Sequence, residues 1–168
     1  QSLIQDKKEL IPVEVELTLL PGLPGIHFLG LPDQHLKEST LRIKSAIKQA
    51  GFEFPTGHQI LVNLRPSSIR KNSKGLDLAV AASYLWETEQ VPKPVMSSDF
   101  FVYGELTLSG EVLEPEDLVE DFLKEKSVVL TGESLAKKTA SFRRQVISHL
   151  QDLVRPQELL PEPAFEKP

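Results

Sequence analysis

The stretch from Gly22 to Gly51, GLPGIHFLGLPDQHLKESTLRIKSAIKQAG, places a strand, a Gly-Pro turn and a long amphipathic helix in immediate succession. Gly25–Leu31 has an apolar strand core in Ile26, Phe28 and Leu29. Gly30-Leu31-Pro32-Asp33 then breaks it, because glycine reaches backbone angles closed to other residues and proline fixes its own φ. Asp33 suits the N-cap, where a carboxylate accepts from free backbone N–H groups. Behind it Leu36, Ile43, Ile47 and Ala50 fall at helical spacing, and Gly51 is a natural stop.

The flanking sequence supplies partners for this unit. Ser2–Leu10 is weakly patterned, with a short edge strand around Leu3 and Ile4. Val13–Leu20 alternates Val13, Val15, Leu17 and Leu19 with Glu14, Glu16 and Thr18, the mark of a strand with one wet face. The turn cluster Leu20–Gly25 joins it to Gly25–Leu31, so an antiparallel hairpin is expected there. Gln59–Leu64 reads as a buried strand, and Leu76–Trp86 as a helix apolar almost all round, which belongs inside a domain. Phe100–Leu106 reads as a strand that continues into a hairpin through Ser109-Gly110. Beyond it the pattern predicts a short acidic helix over Glu116–Lys126, a strand over Ser127–Leu130, and helices over Glu133–Lys138 and Phe142–Val154. Residues 1–154 form one domain on this reading, and the four prolines of residues 155–168 mark a linker toward a further domain. The class is α+β, an α/β two-layer arrangement.

Composition narrows the function. Zero cysteines remove disulfides, thiol chemistry and the commonest zinc sets. No apolar run approaches the ~20 residues that span a bilayer, and no signal peptide is visible, so no membrane partner and a cytoplasmic location are expected. The net charge of −5 hides an asymmetry. Gln34–Gly75 holds eight Lys/Arg against two acids, a local +6, and Glu105–Ser134 holds nine acids against two lysines, a local −7. Lys37, Arg42, Lys44 and Lys48 lie on the polar helix face, with Lys37, Lys44 and Lys48 in one stripe. Arg65, Arg70, Lys71 and Lys74 belong to the basic loop RPSSIRKNSK, where Ser67, Ser68 and Asn72 add short donors. These seven residues, Lys37, Lys44, Lys48, Arg65, Arg70, Lys71 and Lys74, are the candidate nucleic-acid contacts. The plainer readings are a solvated helix face and a solvated or interdomain loop. No aromatics interleave with the loop, so base stacking is not suggested.

Catalytic and metal signals are sparse. There is no GxxxxGK[ST] run, and no GxGxxG follows a strand. His27, His35, His58 and His149 lack ligand spacing. The acids Glu114, Glu116, Asp117, Glu120 and Asp121 better suit a solvated helix start than a divalent-ion site.

GLPGIHFLGLPDQHLKES, then GFEFP, ILVNLRPSSIRKNSKGLDLAVAASYL and YGELTLSGEVLEP together resemble the N-terminal domain of the magnesium-chelatase-like AAA+ proteins of the ComM/YifB group. The likeness runs from about Val13 to Pro115 and fades after Glu116. It implies a Lon-protease-like fold of the ribosomal protein S5 domain 2 type, a mixed sheet with helices packed on one face. It also implies ATP and Mg2+ in a following AAA+ module rather than in this chain, and partners in that module, in ring protomers and in DNA. Lon-type peptidases need a serine nucleophile and a lysine base within hydrogen-bond reach. At the corresponding positions this chain has Leu76 and Val119, and Ser73 and Lys74 are adjacent and point apart. No enzyme activity is therefore expected of this chain, and a residual hydrolase would need a serine–lysine pair assembled from elsewhere. Asp77, beside the lost serine, is similar to an acid in the RadA recombination ATPases. Its expected role is to cap the buried helix.

Overall fold

The computed structural model describes residues 2–6, 9–29, 34–65, 75–94, 100–114, 128–132 and 143–154. The first three strands are β1 (Ser2–Asp6), β2 (Glu9–Pro21) and β3 (Gly25–Leu29), followed by helix α1 (Gln34–Gln49). Strand β4 (His58–Arg65) leads to α2 (Leu76–Glu87), and then come β5 (Phe100–Val102), β6 (Glu105–Leu106) and β7 (Val112–Leu113). β8 (Val128–Thr131), β9 (Arg143–Val146) and a closing 3-10 turn (Leu150–Val154) complete the described chain. Strands of both senses with helices make this an α+β fold.

The largest sheet has the order β1-β2-β4-β3. β2 and β3 are therefore not a hairpin, which corrects the expectation. β4 lies between them, antiparallel to β2 and parallel to β3, with Leu17 and Phe28 both level with Val62. The physical reason is burial. Ile60 and Val62 are fully buried, and a strand of that apolarity gains most from the central slot. The inward residues Val15, Leu17 and Leu19 of β2 and Phe28 of β3 pack on the same core as α1 and α2. Glu14, Glu16 and Thr18 face solvent on the other side.

α1 buries Ser39, Ile43, Ala46 and Ile47, and Ala50 just beyond its end is buried with them. Each large side chain so buried contributes about 1.5–3 kcal/mol. The helix ends as its sequence suggests. Gly51 has φ 85°, and the Phe52 and Gly51 N–H groups donate to the Ile47 and Lys48 carbonyls. That paired closure needs a left-handed residue, which glycine supplies without strain. The turn expected over Gly30–Asp33, with its Asp33 cap, lies outside the described residues.

α2 is buried at ten of its twelve positions. Its start docks on a break between β5 and β6, where a single strand had been expected. The Gly104 N–H donates to the Gly75 carbonyl, and the Leu78 N–H donates to the Gly104 carbonyl. The Tyr103 ring lies so close to Gly75 that a Cβ there would sit 1.8 Å from a ring carbon. The hairpin of β6 and β7 turns at Gly110, φ 96°, close to the expected place.

The helix expected over Phe142–Val154 is a strand followed by a 3-10 turn. β5, β8 and β9 form a parallel sheet, so Arg143–Val146 is drawn out beside Val128–Thr131. The Asp152 carboxylate then accepts from the Ser148 and His149 N–H groups, and the Leu150 N–H donates to the Gly110 carbonyl. Pairing with β8, the bond to Gly110 and the local Asp152 bonds together outweigh the weak helical period of Val146, Leu150 and Leu153. Leu150 and Leu153 are buried all the same. The expected helices at 116–126 and 133–138 and the linker at 155–168 lie outside the described residues. Among the described residues, no helix is long and apolar enough to cross a membrane.

Candidate nucleic-acid interface

The structure sorts the cations by whether a carboxylate already holds them. Arg42 does not join the outer stripe. Its Nε donates to Asp77 Oδ2 at 2.8 Å and its Nη2 to Ser39 at 2.9 Å, and its side chain is 19% exposed. Asp77 is fully buried and also accepts from the Leu106 N–H at 3.2 Å. It is not the cap of α2. The Gly104 carbonyl takes the Leu78 N–H, and no described side chain caps the helix start. The carboxylate instead ties α2 to α1 and to β6. Burial pushes the Asp77 carboxyl above its ordinary value, against the pull of Arg42 and of its hydrogen bonds. Burial lowers the Arg42 guanidinium, but the hydrogen bond and charge of Asp77 outweigh that and leave it raised.

Arg65, at the end of β4, is also engaged. It forms ion pairs with Glu14, 3.3 Å away, and with Glu16, on the outer face of the sheet. Arg70, Lys71 and Lys74 lie outside the described residues. Lys37, Lys44 and Lys48 remain, all on α1, and none has a carboxylate partner among the described residues. At about 1.5 Å of rise per residue they are spaced by about 10 and 6 Å along the axis. The Lys44 and Lys48 ammonium groups sit 5.6 and 5.9 Å from the centroid of the Phe54 ring. That ring fixes where the two stems run. Phe54 is the participant that sequence reasoning missed, although its place just beyond the helix end, in GFEFP, was the available signal. Leu41, 67% exposed, lies within the stripe by helical spacing.

The family resemblance would put a peptidase nucleophile at Leu76 and its lysine base at Val119. Leu76 is fully buried and packs with Val13, Val15, Leu36 and Leu64. Val119 lies outside the described residues. Ser83 and Lys93 do line one cleft, but no hydrogen bond joins them. His149 is held in the closing turn, its Nε2 2.8 Å from the Ser109 carbonyl and its Nδ1 accepting from the Gln151 N–H. Among the described residues no three His, Asp or Glu side chains gather to hold a metal ion.

The described residues thus form an α+β domain in which the lysines of α1 have no carboxylate partner among the described residues. Residues 13–131 match the family described as subunit ChlI of Mg-chelatase, and the chain belongs to that family. Similar proteins include YifB of Salmonella typhimurium and of Escherichia coli, described as uncharacterized. Each is 35% identical over 99 residues, covering 59% of this chain and 19% of the relative. Competence protein ComM of Haemophilus influenzae is 34% identical over 100 residues, covering 60% of this chain and 19% of that protein. The chain thus spans about a fifth of the length of these relatives.

Proposed function

We propose that this chain is the non-catalytic N-terminal domain of a magnesium-chelatase-like AAA+ ATPase, with a Lon-related fold, and that it engages DNA through α1. Recombination and branch migration are the setting that the family resemblance implies. ATP and Mg2+ would bind in the motor module, not here. The observation that carries the reading is the set Lys37, Lys44 and Lys48, left without carboxylates among the described residues while Arg42 and Arg65 are neutralised within the fold.

Three phosphate contacts give a salt slope of about −2.7 on duplex DNA, hence about fortyfold weaker binding at 200 mM than at 50 mM salt. Fluorescence anisotropy with labelled branched and single-stranded DNA measures this. Replacing the three lysines with alanine removes the salt-sensitive binding, and Arg65→Ala changes it little because Arg65 is already paired. No binding at about 50 mM salt sinks the reading.

A second reading, a peptidase-fold module kept for protein contact with ring protomers or the motor, is favoured by Leu41 and by Leu108, 59% exposed, whose carbonyl accepts from Ser45 of α1 at 2.8 Å. Sedimentation of the chain with and without its motor module separates the two, since only this second reading requires a complex in the absence of DNA.

A further inference from the structure

The lysine stripe of α1 runs beside a cleft. Lys44 and Lys48 hold their ammonium groups 5.6 and 5.9 Å from the Phe54 ring centroid. Phe54 also lines an open cleft of about 690 Å³ between the end of β2, the start of β4 and the end of α2. That volume is ordinary for a small-ligand site, which takes about 300–1,000 Å³. Leu19, Phe54, Pro55 and Tyr84 give the cleft apolar walls. The walls are held in place by the backbone of Glu53. Its N–H donates to Gln90 Oε1 at 2.8 Å, and its carbonyl accepts from Gln90 Nε2 at 3.0 Å and from the Tyr84 hydroxyl at 2.7 Å. The Phe54 and Tyr84 rings lie 6.2 Å apart. Gln90 and Tyr84 are thus spent within the wall, whereas the side chains of Glu53, Thr56 and His58 line the cleft at exposed residues.

We propose, resting on the DNA reading above, that the cleft takes a base of single-stranded DNA whose phosphate lies on Lys44 and Lys48. The occupant follows from what stands side by side. Two cations flank an aromatic-walled cleft, and a nucleotide joins an anion to a flat, largely apolar ring one sugar away. Phe54 is common to both halves, so one nucleotide reaches both. A base in a duplex is stacked and paired, and it enters a cleft only after costly extrusion. A single strand offers its bases free. His58, at the exposed rim, supplies an aromatic face for stacking. Glu53 selects among the bases. Its carboxylate accepts from the N4 amine of cytosine, whereas thymine turns its O4 acceptor toward the same group. The basic loop that follows β4 has no aromatic residue in its sequence, so base contact belongs to this end of α1 instead.

The probes are labelled single strands of about 10 nucleotides at about 50 mM salt, followed by fluorescence anisotropy with the full 168-residue chain. One strand is oligodeoxycytidine, one is oligodeoxythymidine, and one is abasic with the same number of phosphates. The cytidine strand binds about five- to a hundredfold more tightly than the abasic one. It binds about fivefold more tightly than the thymidine strand. Glu53→Gln, a change at an exposed side chain whose new amide pairs with either base, brings the cytidine and thymidine strands level. His58→Ala narrows the gap between the cytidine and abasic strands. Equal binding of the cytidine and abasic strands by the parent chain overturns the proposal and leaves the lysine stripe standing. Binding of no strand overturns both. A cytidine preference untouched by Glu53→Gln overturns the placing of the base. Deoxycytidine monophosphate that binds as tightly as the strand overturns the proposal too, because the source is then a free nucleotide.

Discussion

Asp77→Ala removes the carboxylate that joins α1, α2 and β6. Asp77 is fully buried and receives the Arg42 Nε at 2.8 Å, the Arg42 Nη2 at 3.4 Å and the Leu106 N–H at 3.2 Å. Without it a guanidinium whose side chain is 19% exposed loses its buried counter-ion and keeps only the exposed Glu38 carboxylate, 3.9 Å away, and a buried N–H loses its acceptor. Breaking a buried pair on one side costs about 3–5 kcal/mol. An orphaned N–H alone costs about 1–3 kcal/mol, and the two losses overlap. Against a typical total of about 5–15 kcal/mol, that is a large fraction. Equilibrium urea unfolding, followed by the fluorescence of buried Trp86, measures it. Arg42→Met leaves a buried carboxylate uncompensated and costs a similar amount. Joining Arg42→Met with Asp77→Leu removes both charges and recovers most of the loss, because desolvating the pair opposes its attraction. A cost for Asp77→Ala under about 1 kcal/mol refutes the argument, as does a double variant that costs the sum of the singles.

The same pair gives a pH signature. The carboxyl of Asp77 is raised in the folded state, so its contribution is fully present below the ordinary aspartate range and is lost as pH rises through the folded value. Asp77→Asn, which cannot titrate there, is therefore most costly relative to the parent in acid, and the gap narrows toward neutrality. A gap that widens with pH shows instead that Arg42 outweighs burial. Gly75→Ala drives a Cβ into the Tyr103 ring and costs about 1–3 kcal/mol by overpacking. Tyr103→Ala in the same background relieves the clash, so the two losses fall short of additivity in urea unfolding. The salt dependence of DNA binding is the corresponding check on α1.

How much could be read in advance followed from where the deciding interaction lies. The spacing of Ile43, Ile47 and Ala50 with Gly51 behind them fixes α1, because a buried stripe and a left-handed stop are local properties. The alternation of β2 is local in the same sense. The place of β4 is not. Its apolarity marks it as buried, but no pattern in Leu20–Leu31 announces that another strand will come between β2 and β3. At Phe142–Val154 the helical period is present, yet pairing with β8 and the Asp152 hydrogen bonds prevail over it. The candidate site divides likewise. Lys37, Lys44 and Lys48 are legible as a stripe, but only the fold shows that Arg42 is withdrawn by an aspartate 35 positions later and that Arg65 is met by β2.

The last prediction concerns the corner where the family resemblance would put a nucleophile. Leu76→Ser reinstates the residue type there, yet it yields no peptidase. The side chain at this position has no exposure and is enclosed by Val13, Val15, Leu36 and Leu64. A substrate carbonyl cannot reach it without parting β2 from α2. The substitution removes a fully buried leucine side chain, which costs about 2–5 kcal/mol even when alanine replaces it, and it adds a buried hydroxyl that needs a partner. The outcome expected is a less stable chain that neither cleaves unfolded casein nor takes up a serine-directed fluorophosphonate. Labelling that is absent in the parent and appears at the substituted position of the Leu76→Ser chain would mean that the corner opens to solvent and that an amine reaches it. The non-catalytic reading of the domain would fail at the point on which it depends.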